Sequence, residues 1–150
     1  MVARRKRMQI YNAGNIDQNS RFVLSIVIGL LGAVAMGIIY GMVQSILRIE
    51  FEYMYILIGW LIGEMIRRIG HGVTKKYNVL GAVLALIAMM TGDLVVRFGF
   101  SAIVMVIQEP SLFLSVFAAL LNSFRSVWGI FGVMFRVMGM YIAYNRATVL

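Results

Sequence analysis

A chain of 150 residues that is 61% hydrophobic and 13% charged, with a mean hydropathy of +0.88, is not built like a soluble domain; such a domain is nearer half apolar and a quarter charged. The absence of cysteine excludes disulfides, thiolate metal sites and cysteine nucleophiles. The net charge of +8 would suggest nucleic acid in a soluble protein, but here much of it lies in two short segments flanking apolar runs. These are Arg4, Arg5, Lys6, Arg7 and Arg21, then Arg67, Arg68, Lys75 and Lys76. Such clustering follows the positive-inside bias of membrane proteins, so nucleic acid is set aside.

Residues 1–20 form a polar, basic tail, with a helix start expected at Asn19 or Ser20. The first apolar run extends from Phe22 to Leu47. Ala33-Val-Ala35 resembles a signal cleavage site, but the run continues well beyond it and the leading polar segment is long, so a retained helix is expected. Arg48, Glu50 and Glu52 mark a turn outside the membrane. The second run, Phe51 to Ile66, is short for a span, and Glu64 and Arg67 can snorkel at its end. A basic, glycine-bearing loop, 67–76, follows on the cytoplasmic side, and Val79 to Val96 forms the third span.

Pro110 fits the first turn of a new helix. From there Ser111, Ser115, Ala118, Asn122, Arg125 and Ser126 share one helical face, while Leu112, Phe113, Val116, Phe117, Leu120, Leu121 and Phe124 cover the rest. This pattern predicts an amphipathic helix lying at the interface or lining a cavity. The last span runs from Val127 to Tyr144, with Trp128, Tyr141 and Tyr144 as interfacial anchors and Arg146 closing it inside. The predicted fold is therefore an all-α, polytopic protein of the cell membrane. It has four transmembrane helices plus an amphipathic interfacial helix, both ends cytoplasmic, and residues 21–150 forming a single domain.

Gly59-Trp-Leu-Ile-Gly63, then Ile66-Arg67, Gly70 and Gly72, then Tyr77-Asn78-Val79-Leu80, with Gly139-Met-Tyr-Ile-Ala-Tyr144 at the end, together resemble a broad group of small four-helix bacterial membrane proteins. These are largely without assigned function. In that group a Gly-aromatic-x-x-Gly helix runs into a basic, Gly-rich cytoplasmic loop. Val73-Thr74 stands where more glycine is expected. The resemblance implies the topology and carries no mechanism.

Gly29, Ala33, Gly37 and Gly41 recur every fourth residue and form a small-residue face on the first helix; Gly59 and Gly63 do the same on the second. Such a face lets another backbone come close, either within the chain or on a docked partner. The charges in or beside apolar runs are Glu64, Asp93, Arg97 and Arg136, and a charge at mid-membrane requires pairing or hydration. Asp93 and Arg97, four apart, are expected to pair. Arg136, midway along the last span, is expected to pair with Glu64. Arg4, Arg5, Lys6 and Arg7 suit anionic lipid headgroups. His71, the only histidine, reads as a solvated loop residue. The twelve methionines read as fillers of irregular gaps between helices.

No nucleophile–base pair, metal-ligand set or phosphate-loop spacing stands out, so neither cofactor nor metal is expected. The leading expectation is a non-enzymatic membrane subunit that docks a partner membrane protein or a second copy through its small-residue faces. The alternative is a homo-oligomeric channel or small transporter with Arg136 and Glu64 along a polar path. Cysteines introduced at Ala3, Thr74 and Thr148 should resist an impermeant thiol reagent applied to intact cells, and one at Glu50 should react. Labelling of the Thr74 variant from outside would overturn this topology.

Overall fold

The computed structural model describes residues 18–49, 52–71, 74–122 and 125–148. Among them the chain is all-α. Its helices are α1 (Gln18–Leu47), α2 (Met54–Gly70), α3 (Lys75–Phe98), α4 (Ala102–Gln108), α5 (Ser111–Asn122) and α6 (Val127–Arg146). Three segments are long and apolar enough to cross a membrane: Asn19–Leu47, Lys75–Phe98 and Val127–Arg146. Asn19 and Ser20 lie inside α1, one and two residues past the first described helical position, so neither caps it. The Arg4–Arg7 cluster falls outside the described residues.

Four of the helices form a bundle whose senses follow from their contacts. Gly29 of α1 faces Leu84, Gly37 faces Ala88 and Thr91, and Gly41 faces Gly92 and Val95, so α1 and α3 run parallel. Gly59 faces Gly139 and Gly63 faces Ala143, so α2 and α6 also run parallel. Gly81 of α3 meets Ala143 and Ala147, and Gly70 of α2 meets Ser25, which makes the two pairs antiparallel to each other. The core is a stack of small and branched side chains at these crossings: Ala33, Ile58, Ile62, Ile66, Leu84, Ala85, Ala88, Met89 and Ala143.

All the named glycines solve one physical problem. Lipid tails are as apolar as leucine, so helices gain little by hiding side chains from them; what holds helices together is close backbone approach and the dispersion contacts that follow. A Cβ on Gly37 would stand 2.5 Å from the Ala88 carbonyl oxygen, and one on Gly59 would run into the Gly139 carbonyl. The small-residue face of α1 is thus filled by α3 of the same chain. The expectation that Gly29, Ala33, Gly37 and Gly41 receive a partner protein is corrected by this packing, because no free backbone groove is left there. Gly59 and Gly63, in turn, serve α6.

The bundle has two chemically different ends. At one lie Arg21, Arg67, Arg68, Lys75, Lys76 and Arg146, with Glu64 held among the guanidiniums. His71 stops α2 there with a left-handed φ of 45°, its N–H donating to the Arg67 carbonyl. It is exposed, as a loop residue should be. At the other end α3 stops at Gly99, φ 71°, and the chain passes through α4 and α5 before α6 returns. The break at Glu109 and Pro110 turns α4 against α5 by 113°, so the two do not form one straight rod. They cover the outer flank of α3 through Ala102, Val106, Phe113 and Val116, packed on Met90, Leu94 and Val95. On α5 Ser111, Ser115, Ala118 and Asn122 are exposed, but so are Leu114, Phe117 and Leu121, and Val116 is the one buried residue of the helix.

Replacing Gly37 or Gly59 by Ala should lower stability by about 1–3 kcal/mol, the usual range for overpacking, despite the better helix propensity of alanine. Gly32→Ala is the control, because its Cβ meets only the flexible end of Met65. It should be neutral or stabilising when thermal unfolding is followed in mild detergent.

Candidate functional site

A cavity of about 380 Å³ lies at the end of the bundle opposite the Lys/Arg cluster. Five helices and the turn before α2 contribute to its wall: Tyr40 and Gln44 from α1, Glu52 and Tyr55, Asp93 and Arg97 from α3, Val116 and Leu120 from α5, and Trp128, Gly132 and Arg136 from α6. Ser126 also lines it; its side chain accepts the Gly129 N–H and caps α6.

One polar cluster dominates this wall. Arg136 Nη2 donates to Asp93 Oδ2 at 2.9 Å, to Asp93 Oδ1 at 3.1 Å and to the Tyr55 hydroxyl at 2.7 Å. The Tyr55 hydroxyl donates in turn to Asp93 Oδ1 at 2.9 Å. The guanidinium also lies 4.4 Å from the Tyr55 ring centroid, within cation–π range. Tyr40 packs its ring on Tyr55 at 5.3 Å. The side chains of Arg136 and Asp93 are only 16% and 15% exposed, so each depends on the other to offset the loss of water.

This arrangement corrects the expected pairing of Arg136 with Glu64. Helical Cα–Cβ bonds tilt toward the helix N-terminus. On α6 that tilt carries Arg136 toward the cavity end; on antiparallel α3 it carries Asp93 the other way, so the two side chains lean into one another. Glu64 lies level with Ala143 and Arg146, about 15 Å along α6 from Arg136 at 1.5 Å per residue. It pairs instead with Arg68 at 3.0 Å, Arg67 at 3.7 Å and Arg146 at 4.0 Å. Arg146 also lies over Trp60, 5.6 Å from its ring centroid.

Asp93 and Arg97 share the cavity wall, but no ion pair joins them among the described residues; Asp93 is taken by Arg136. The layer between Arg136 and Glu64 is filled by Ile58, Ile62, Met89 and Ala143. Within one chain, therefore, Arg136 and Glu64 do not line a common polar path.

Tyr55 escapes sequence reading because a tyrosine near a helix end passes for an interfacial anchor. The signal was its spacing: Tyr55, Gly59 and Gly63 lie four apart on the face that α6 covers. The cavity wall also carries incompletely satisfied polar atoms. Gln44 Oε1 and Arg136 Nε are buried without a hydrogen-bond partner among the described residues, a condition that calls for explanation in a native fold. No group of three or more His, Cys, Asp or Glu that could hold a metal occurs among the described residues.

The fold and this cavity define an all-α protein with three helices long and apolar enough to cross a membrane and a charged recess at one end of its bundle. No family model, curated protein or solved structure matches the chain, and nothing among these comparisons identifies a family of small bacterial membrane proteins.

Breaking a buried ion pair strands a charge, at a cost of about 3–5 kcal/mol. Arg136→Leu and Asp93→Leu should each destabilise on that scale, with the double variant milder than the sum by about 1 kcal/mol or more. The Arg136 and Glu64 changes, about 15 Å apart, should add within about 0.5 kcal/mol. The reverse pattern in these two cycles would falsify the assigned partners.

Proposed function

We propose that this chain is a non-enzymatic, four-span accessory protein of the cell membrane, with both ends in the cytoplasm, that works by binding at its charged cavity. The observation that carries this is the recess itself: about 380 Å³ of space, with a partly buried Asp93–Arg136–Tyr55 cluster at its wall. Its volume falls in the range of small-molecule sites, which hold a few polar groups in fixed positions. A cluster serving stability alone needs no open space beside it.

The orientation is supported by charge. Arg21, Arg67, Arg68, Lys75, Lys76 and Arg146 lie at one end of the bundle, the distribution expected of a cytoplasmic face. With that end inside, the cavity opens to the outer side. The fourth span is α2, which at 17 residues is shorter than the rest. It extends about 26 Å at 1.5 Å per residue, and the Glu64, Arg67 and Arg68 side chains reach the headgroups from its last turns. The bent α4–α5 pair acts as an interfacial cap on the cavity side. Leu31, Ile39 and Ile46 of α1 and Val137 of α6 are more than half exposed, as lipid-facing side chains should be. Any partner protein or second copy therefore meets these outward flanks rather than the glycine face of α1, and anionic lipid remains the proposed contact of the Arg4–Arg7 tail.

A cysteine at Ser126, on the exposed cavity rim, should react with an impermeant thiol reagent in intact cells. One at the exposed Lys76 should react only after permeabilisation. Reaction at Lys76 in intact cells would invert the orientation and turn the cavity to the cytoplasm.

A further inference from the structure

Four charged side chains line the cavity, two acidic and two basic: Glu52, Asp93, Arg97 and Arg136. Asp93 and Arg136 neutralise one another at 2.9 Å. Glu52 and Arg97 form no ion pair with any described residue. Their positions differ. Glu52 precedes α2 and reaches across to α6, where its Oε1 lies 2.9 Å from the place a Cβ on Gly132 would occupy. Arg136 Nη1 lies 3.2 Å from the same place, so the carboxylate stands near that guanidinium and only glycine leaves room for both. Arg97 lies in the last turn of α3, one turn beyond Asp93. The recess thus offers a half-buried anion near Arg136 and an exposed cation, on different elements and neither in an ion pair with a described residue, beside the Asp93–Arg136 pair.

An occupant of a single charge would satisfy one of these groups and leave the recess with a net charge. In a site partly removed from water such an imbalance is costly, because unit charges interact more strongly as the effective dielectric constant falls. An occupant carrying both signs satisfies both and keeps the sum at zero. We propose that the cavity binds a zwitterion: a primary ammonium group toward Glu52, and a phosphate or carboxylate toward Arg97. Gln44, on the same wall, carries a buried Oε1 with no hydrogen-bond partner among the described residues, an acceptor available to the ammonium. Trp128, 82% exposed at the rim, supplies an aromatic edge of the kind that sits among lipid headgroups. The volume equals that of about a dozen waters at roughly 30 Å³ each, enough for a free amino-phosphodiester or amino-carboxylate, or for the headgroup of an aminophospholipid entering from the bilayer. This assignment rests on the cavity being a binding site, as proposed above.

The test is thermal unfolding of the purified full chain, delipidated in mild detergent, titrated with glycerophosphoethanolamine, β-alanine and a short-chain phosphatidylethanolamine, each carrying one ammonium and one single negative charge. Ethanolamine, inorganic phosphate and a short-chain phosphatidylglycerol are the single-charge controls. Zwitterions should raise the melting temperature and the controls should not. Glu52→Gln and Arg97→Gln should each weaken the zwitterion effect about tenfold or more, as loss of a charge-assisted hydrogen bond does, while leaving the melting temperature of the free protein unchanged. A shift with the free compounds identifies a soluble ligand, and a shift with the lipid alone identifies a headgroup. If a single-charge control stabilises as well as the zwitterions, or the two variants bind like the wild type, the zwitterion assignment is wrong while the cavity still binds. If nothing tested stabilises the protein, the zwitterion assignment is wrong; if in addition a cysteine at Ser126 is inert in intact and permeabilised cells alike, both proposals fall.

Discussion

Everything in this bundle depends on backbones being allowed to touch. Among lipid tails an apolar side chain gains nothing from facing another helix, and association must come from dispersion at short range. Gly37 against the Ala88 carbonyl and Gly59 against the Gly139 carbonyl are the places where that range is reached. Because each glycine meets a particular carbonyl, the contact fixes rotation and height as well as distance. A layer of leucines would permit sliding; these crossings do not.

Fixed height is what makes the charged site workable. Asp93 and Arg136 reach each other only because α3 and α6 are antiparallel and aligned within about one turn, the alignment set by Gly81 against Ala143 and Gly139 against Tyr55 and Met89. The same glycine, Gly139, that lets α6 approach α2 brings Tyr55 beneath the guanidinium. The small-residue stripes and the ion pair are therefore one construction: packing at the middle of the bundle sets the geometry of polar groups at its end. The remaining acid of the basic end, Glu64, is held by Arg67 and Arg68 from its own helix and by Arg146 from α6, so the two charge clusters do not compete for partners.

Much of the fold is legible from residues alone, and the misreadings share a cause. Apolar runs between basic punctuation marks give α1, α3 and α6, since length and hydropathy are local properties. Pro110 announces a break, yet nothing in the sequence specifies the 113° turn there, which is set by how α4 and α5 seat on Met90, Leu94 and Val95. Gly29 to Gly41 is recognisable as a contact face, but its occupant is a tertiary fact. Arg136 is recognisable as a charge needing a partner, but the choice between Asp93 and Glu64 turns on helix sense and side-chain lean. Counting depth from the ends of apolar runs misses both. Glu52 is legible only as a turn residue, because its reach to Gly132 crosses between two helices far apart in the chain.

The parallel pairing of α1 with α3 also governs how the protein is made. Two adjacent helices of the same sense cannot be neighbours in a hairpin; the chain must cross back through α2 before α3 can return alongside α1. During synthesis, at about 5–20 residues per second, the glycine face of α1 is therefore made several seconds before the part of α3 that covers it in the finished fold. The groove that is closed in the finished molecule is open in the nascent one. That interval, rather than the mature fold, is when the first helix is most vulnerable to capture by another small-residue helix in the membrane.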